Sequence, residues 1–371
     1  MINKKNDLSI MIKEKALEIG MDIVGITSAK PFIKAYETIK NRKLNKFIDN
    51  DPELLTNPQK HMKSAKTIIA LALSYARKDI SSKGEQYISL YARSKDYHLI
   101  MEDKMSKLQE YIKEKEPESE LIAYCDTGAI LDREIAYRAG LGWIGKNNNL
   151  INPKYGSFLV LGEIITNLDL NIDKPMESKC NECSLCIDSC PAQAFIDIRH
   201  LDSEKCLSYL TQKKGYLSEK ERENIANRLW GCDTCLSVCP YNQSIPLDKH
   251  KEFKSIIEAD IYKILSFSKG NLPESWKESA ISWRGLRILQ RNTLINIANN
   301  PDSKYIPVLE EVLENPSPVL RTYAVWALSK IEEESIKLIL KKHYHQESDE
   351  KVLKEIKNLF VKNTHWGDID D

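Results

Sequence analysis

Eight of the nine cysteines fall between positions 180 and 239, in two runs that carry both Cys-Pro pairs. The first, Cys180-x2-Cys183-x2-Cys186-x3-Cys190-Pro191, has the complete spacing of a bacterial ferredoxin. The second, GCDTCLSVCPYN from Gly231 to Asn242, holds only Cys232, Cys235 and Cys239. A cubane iron–sulfur cluster needs four thiolates. In two-cluster ferredoxins the first three cysteines of a run bind one cluster and the fourth reaches to the other. Applied here, Cys180, Cys183 and Cys186 take Cys239 as fourth ligand. Cys190, Cys232 and Cys235 form the second set, and Cys206 is the one cysteine left in the region to complete it. Two structural zinc sites are the alternative reading of eight thiols, but this spacing is rarely a zinc pattern. Two 4Fe–4S clusters imply one-electron transfer, so an acceptor is expected elsewhere in the chain.

The rest of the sequence sets the context. The chain has 371 residues, enough for two or three domains. Lys plus Arg equals Asp plus Glu at 54 each, which argues against a broadly nucleic-acid-coated surface but leaves room for a local basic patch. The N-terminus is charged throughout, and the longest apolar run, Thr67 to Tyr75, is too short to span a bilayer. A cytoplasmic protein without membrane contact is expected, and clustered cysteines there point to metal rather than disulfides.

Residues 1–170 read as α/β. Helical spacing over Leu8–Gly20 and Ser94–Glu114 alternates with β-rich runs at Asp22–Thr27, Thr67–Tyr75, Leu121–Cys125 and Ser157–Thr166. Residues 171–248, where apolar periodicity is weak, form a ferredoxin-like domain held by metal. After a linker at 249–274, residues 275–371 are helical. Arg291–Ala298 aligns with Arg321–Leu328, with a weaker copy over Lys351–Phe360, which predicts a short α-solenoid of HEAT-like repeats. An irregular helical bundle is the alternative.

Asp126 follows the strand-like run ending at Tyr124. It is placed either to act on a substrate or to cap a following helix, and position alone leaves both open. Cys125, the ninth cysteine, reads as core. The loop Gly140–Asn149 lacks a P-loop arrangement, and there is no Rossmann fingerprint. Tyr87–His98, with Arg93 and Lys95, reads as an ordinary strand and helix start or as the wall of an anion-bearing pocket.

Taken together, these segments resemble the epoxyqueuosine reductase family. The resemblance rests on Asp126-Thr127-Gly128-x3-Asp132-Arg133, on AGLGWIGKNNNLINPKYGSFLVLGEI from Ala139 to Ile164, on the double ferredoxin run, on Ala226–Asp233 and on the helical tail. It covers nearly the whole chain. It implies a cobalamin-dependent iron–sulfur enzyme that reduces epoxyqueuosine at the tRNA wobble position to queuosine. It further implies Asp126 as catalytic acid, in contact with the cofactor. Cobalamin neighbours are expected at Ser89, Arg93, Lys146, Asn147, Leu150, Ser157 and Leu161, with Ser208 and Asp233 facing the corrin from the cluster side. The D-x-H-x-x-G signature of histidine-ligated cobalamin proteins starts at Asp96 but has Met101 in place of glycine, so a base-off cofactor without a protein histidine ligand is expected. For tRNA, Arg284, Arg287 and Arg291 share a helical spacing beside Trp283, and Lys213 and Lys214 add charge. The partners expected are tRNA carrying epoxyqueuosine and a low-potential electron donor, with the chain as a monomer. A reductive dehalogenase-like enzyme and a non-catalytic electron carrier are the competing readings.

Overall fold

The computed structural model describes residues 2–42, 47, 51–78, 87–257, 259–268, 270–363, 366 and 369. The chain forms two compact units that interleave along the sequence. Unit 1 comprises Met1–Ile80, Ser94–Glu204 and Asp233–Lys254; unit 2 comprises Ser81–Arg93, Lys205–Cys232 and Ser255–Asp371.

Unit 1 is built on a four-stranded sheet of β1 (Ile23–Ser28), β2 (Thr67–Ser74), β3 (Leu121–Tyr124) and β4 (Leu159–Thr166), in the order β1-β2-β4-β3. Strand β2 reads TIIALALS, and every residue of it is buried, as a central strand covered on both faces requires. Helices α1 (Ile2–Glu18) and α2 (Tyr97–Lys115) pack together on one side, with α2 against β3 and β4; α3 (Asp132–Arg138) packs against β1, β2 and β4. Gly162 lets α2 approach: a Cβ there would stand 2.6 Å from Met101 Cε. All four strands and both long helices foreseen from the sequence are present. One premise fails. Every pairing in this sheet is antiparallel, so the parallel-sheet rule that places ligands at strand carboxyl ends does not apply. The sheet is α+β in character, and Asp126 owes its position to the end of an edge strand.

Unit 2 centres on β5 (Arg228–Trp230), which pairs in parallel with Tyr87–Ile88. Leu229, Trp230, Ile264, Trp276, Ile288 and Leu289 form its core there. Its helices are α4 (Leu207–Gln212), α5 (Leu286–Asn299), α6 (Ile306–Leu313), α7 (Pro318–Leu328), α8 (Ser335–Gln346) and α9 (Glu350–Lys362). Helix α7 packs on α5, α6 and α9, and α8 packs on α9. Pro at the first turn of α6 and α7 and the Asp349 side-chain cap on α9 fix where these helices begin. Among the described residues no helix is long and apolar enough to cross a membrane.

Candidate functional site

Four thiols meet in unit 1. Cys180, Cys183, Cys186 and Cys239 line one small cavity, together with Lys146, Asn147 and Tyr241. The backbone turns tightly to achieve this: Cys183 N–H donates to Cys180 O at 3.0 Å, and Cys239 follows the short helix Thr234–Ser237. Trp143, fully buried, donates its indole N–H to Cys180 Sγ at 3.4 Å and packs edge-on against Tyr241. Burial, then the other thiols, push Cys186 and Cys239 above the ordinary cysteine range. Four thiolates packed this closely repel one another unless cations lie between them, and iron supplies that charge. Among the described residues no three His, Cys, Asp or Glu groups are arranged around a single ion.

Of the other four cysteines in the double run, two belong to each unit. Unit 1 holds Cys190, just beyond the short helix 185–188, and Cys235, within the short helix 234–237; the two helices pack together, and Cys190 Sγ accepts the Ala194 N–H at 3.4 Å. Unit 2 holds Cys206, directly before α4, and Cys232, just after β5. Asn292 donates to Thr211 O and Leu229 O, both at 2.7 Å, and so ties α4 to β5.

Asp126 lies beyond the end of β3 and is exposed. Its φ of +56° is a left-handed conformation that few non-glycine residues adopt, and it turns the chain out of the strand. It caps no helix: α3 starts six residues on, and the position before it, Leu131, makes no side-chain cap. Tyr97, the first residue of α2, donates its hydroxyl to Asp126 Oδ2 at 2.5 Å. The ring of Tyr97 is stacked on His98, with centroids 4.1 Å apart. His98 in turn bonds Asp96 at 2.7 Å; burial opposes its charge, but the hydrogen bond and charge of Asp96, with Asp126 and Glu102 behind them, raise its pKa. Sequence reading offered Tyr87–His98 as a pocket wall but gave neither Tyr97 nor His98 a role of its own. Cys125 is buried as foreseen, and burial pushes its thiol far up, out of reactive range.

The register of β3 against β4 pairs Tyr124 with Glu163. Continued two residues, it would set position 126 opposite Leu161. Strand β3 has already ended there, so Leu159 and Leu161 remain half-exposed on the sheet face that carries Glu163. An apolar floor beside an exposed acid suits the face of a flat cofactor, and Leu161 belongs to it. The loop 145–149 connects this acid to the thiols: Lys146 and Asn147 line the thiol cavity, Asn147 donates to Cys235 O at 3.3 Å, and Asn148 O accepts from Arg133 on α3. Leu150 is buried in the sheet's core, which leaves its backbone for any contact. Ser157 is committed through both N–H and hydroxyl to Asn242, and Asp233 is buried at the start of Thr234–Ser237. In unit 2, Ser89 and Arg93 are buried: Ser89 N–H donates to Trp230 O at 2.7 Å and Arg93 Nε to Ile88 O at 2.7 Å. Ser208 O accepts from Gln212.

The basic stripe expected for tRNA needs correction. Gly285, at φ +84°, separates Arg284 from α5, so the three arginines do not share one helix. Arg291 is 0% exposed and spends its guanidinium on the carbonyls of Lys213 (2.5 Å), Gly215 (3.2 Å) and Leu210 (3.2 Å). It is a structural anchor with nothing left for phosphate. Arg287 and Lys214 are exposed. Lys213 pairs with Glu221 at 2.8 Å. Arg284 stacks its guanidinium 3.8 Å from the centre of the Trp283 ring, which is 55% exposed. Trp283 is held by its indole N–H on Gln212 Oε1 at 3.1 Å.

Donor chemistry and spacing define an iron–sulfur oxidoreductase, and the profile of the 4Fe-4S double cluster binding domain matches residues 179–242, which include all eight cysteines. A second profile, Epoxyqueuosine reductase QueG, DUF1730, matches residues 56–127. The chain is 40% identical to the epoxyqueuosine reductase of Bacillus cereus over 91% of its own length and 93% of that protein's, and 35% identical to that of Staphylococcus aureus over 94% and 95%. The chain therefore belongs to the epoxyqueuosine reductase family, enzymes that act on tRNA. Among solved structures, an epoxyqueuosine reductase with an epoxyqueuosine-modified tRNA-Tyr stem loop superposes with a TM-score of 0.90 at 33% identity, over 96% of this chain and 98% of that one. A Bacillus subtilis enzyme with its catalytic aspartate loop swung out of the active site does so at 0.90 and 32%, over the same shares.

Proposed function

We propose that this chain reduces epoxyqueuosine to queuosine at the wobble position of tRNA, with cobalamin as the reacting cofactor and Asp126 as the acid. The observation that carries this reading is the Tyr97–Asp126 hydrogen bond on left-handed backbone, which holds an exposed carboxyl beside a half-open apolar floor. Removing an epoxide oxygen as water takes two electrons and two protons, breaks both C–O bonds and leaves a carbon–carbon double bond. Asp126 gives a proton to the oxygen as the ring opens. Cobalamin, when bound, supplies an electron-rich metal centre. Leu159 and Leu161 would lie against its ring, with Ser89, Arg93, the loop from Lys146 to Leu150, Ser157, Ser208 and Asp233 as further neighbours. No histidine is among these residues, so the cofactor would be held base-off without a protein imidazole. Electron paramagnetic resonance is expected to show no coupling from a protein imidazole.

Cys180, Cys183, Cys186 and Cys239 would hold one 4Fe–4S cluster and Cys190, Cys206, Cys232 and Cys235 the other, and the two would supply one-electron transfer from a low-potential donor. Residues 1–170 serve as cobalamin and catalytic domain, 171–248 as cluster domain, 249–274 as linker and 275–371 as HEAT-like tRNA-contacting region of a monomer. The HEAT-like reading is supported by α5, α7 and α9, which begin evenly at Leu286, Pro318 and Glu350 and pack in series. For RNA, Trp283 with its Arg284 partner offers a ring to an unstacked base, and Arg287 and Lys214 offer charge to phosphates.

The test is anaerobic reconstitution with iron, sulfide and cobalamin, followed by supply of a strong reductant and epoxyqueuosine-containing tRNA. Queuosine is expected; no conversion with both cofactors bound would sink the proposal. Asp126→Ala is expected to keep iron and cobalamin and to lose at least about 100-fold in turnover. Trp283→Ala is expected to weaken tRNA binding by about 1–3 kcal/mol, measured at fixed salt.

A further inference from the structure

The reaction consumes two protons, and Asp126 carries one. The buried side of the same sheet face holds two more carboxyls. Glu163, mid-strand in β4 between Ala70 and Tyr124, is 1% exposed. It meets the carboxyl of Asp132 at the first position of α3 in a side-chain hydrogen bond. The other oxygens, Glu163 Oε1 and Asp132 Oδ1, are buried and take no hydrogen bond. The groups facing them are few. The Tyr124 hydroxyl is taken by His61 Nδ1 at 3.2 Å, because His61 Nε2 donates to Leu54 O and Ala129 O. Cys125 is a buried neutral thiol. Arg133 hydrogen-bonds Asn148 O, and its charge favours ionised Asp132, but burial outweighs it. The remaining neighbour, Asp126, is another acid, and its charge acts on both Asp132 and Glu163. Two ionised carboxylates in contact, buried and facing a third, are not a tolerable state; one shared proton removes a charge and makes the hydrogen bond between them.

We propose that Asp132 and Glu163 hold a shared proton as the reserve for the second protonation, delivered through Asp126. The inference rests on Asp126 being the acid. As the first C–O bond breaks, Asp126 protonates the oxygen and becomes a carboxylate. The Asp132–Glu163 pair passes its proton to Asp126 and takes another from solvent in the same relay, so that it is never left doubly ionised; as the second C–O bond breaks, the departing hydroxyl takes the proton of Asp126 and leaves as water. The two electrons are those of the established reduction. Neither Asp132 nor Glu163 touches substrate; both act through Asp126.

Infrared spectroscopy and kinetics on the full-length reconstituted enzyme test this. The wild type is expected to show the carbonyl band of a protonated carboxyl at neutral pH; Glu163→Gln is expected to lose it, and Asp132→Asn, which leaves Glu163 buried with a changed partner, is expected to shift it. In both variants kcat is expected to fall at least about tenfold, with KM for the modified tRNA within about twofold and the alkaline limb of the kcat profile displaced. A single-turnover burst at the first protonation is expected to survive. Either variant suffices if the other does not fold. A wild type without the band, or folded variants with unchanged kcat and alkaline limb, overturns the proposal. Full turnover in Asp126→Ala would instead remove the acid on which it rests.

Discussion

Two acids are buried in the sheet of unit 1, and the fold treats them in opposite ways. Asp22, at the start of β1, is met by Lys249, by His250 Nε2 at 2.8 Å and by the Ser74 N–H at 2.7 Å. Burial favours its neutral form, but those hydrogen bonds prevail and hold it below the usual carboxylate range. Glu163, two strands away, is given another acid, and burial with the charge of Asp132 raises it well above that range. A buried carboxylate supplied with cations fastens chain to chain, here 249–250 to the sheet. One denied them keeps a proton, and that is of use only if the proton is to move.

The comparison breaks first on stability. Asp22→Ala strands Lys249 and His250 and is expected to cost about 3–5 kcal/mol in urea unfolding. Arg321→Ala, which removes the bidentate partner of Glu347 (2.6 and 2.7 Å), is expected to cost about 3 kcal/mol, because Glu347 belongs to the fastening class. Glu163→Gln swaps a neutral acid for a neutral amide and is expected to stay within about 1 kcal/mol of wild type. A large loss there would place Glu163 with Asp22.

The subtlest distinction is the slope of stability with pH. Asp22 and Glu347, the latter held at about 2, have lowered values. Their contribution is present above the ordinary carboxylate value and is lost as pH falls through the folded one. Glu163 has a raised value, so the native state binds the extra proton. Its contribution is full below the ordinary value and is lost as pH rises toward the raised one. Removing Asp22 is expected to flatten the acid side of the stability profile. Glu163→Gln is expected to flatten the neutral-to-alkaline side.

The meeting of Cys180, Cys183 and Cys186 at one cavity was legible because ferredoxin spacing is local: they come together through one tight stretch of backbone. Strands such as β2 were legible because a continuous apolar run has one good use. Asp126 emerged only from a motif, since its position alone fitted a cap equally well. Tyr97 with Asp126, and Asp132 with Glu163, were invisible because each pair is joined by strand register and helix packing across about thirty residues. Arg291 shows the complementary limit. Helical spacing says which residues share a face, but not whether that face meets water or the carbonyls of α4.

That arginine has a consequence for anyone who would shorten the gene. Arg291 and Asn292 sit in the helical tail, yet they close the end of α4, whose opposite end begins at Cys206, and they bind the strand that leads to Cys232. The tail therefore braces the segments that carry Cys206 and Cys232. A chain truncated before α5 is not a smaller reductase awaiting its RNA adaptor; it has lost the grip on two of its sulfurs.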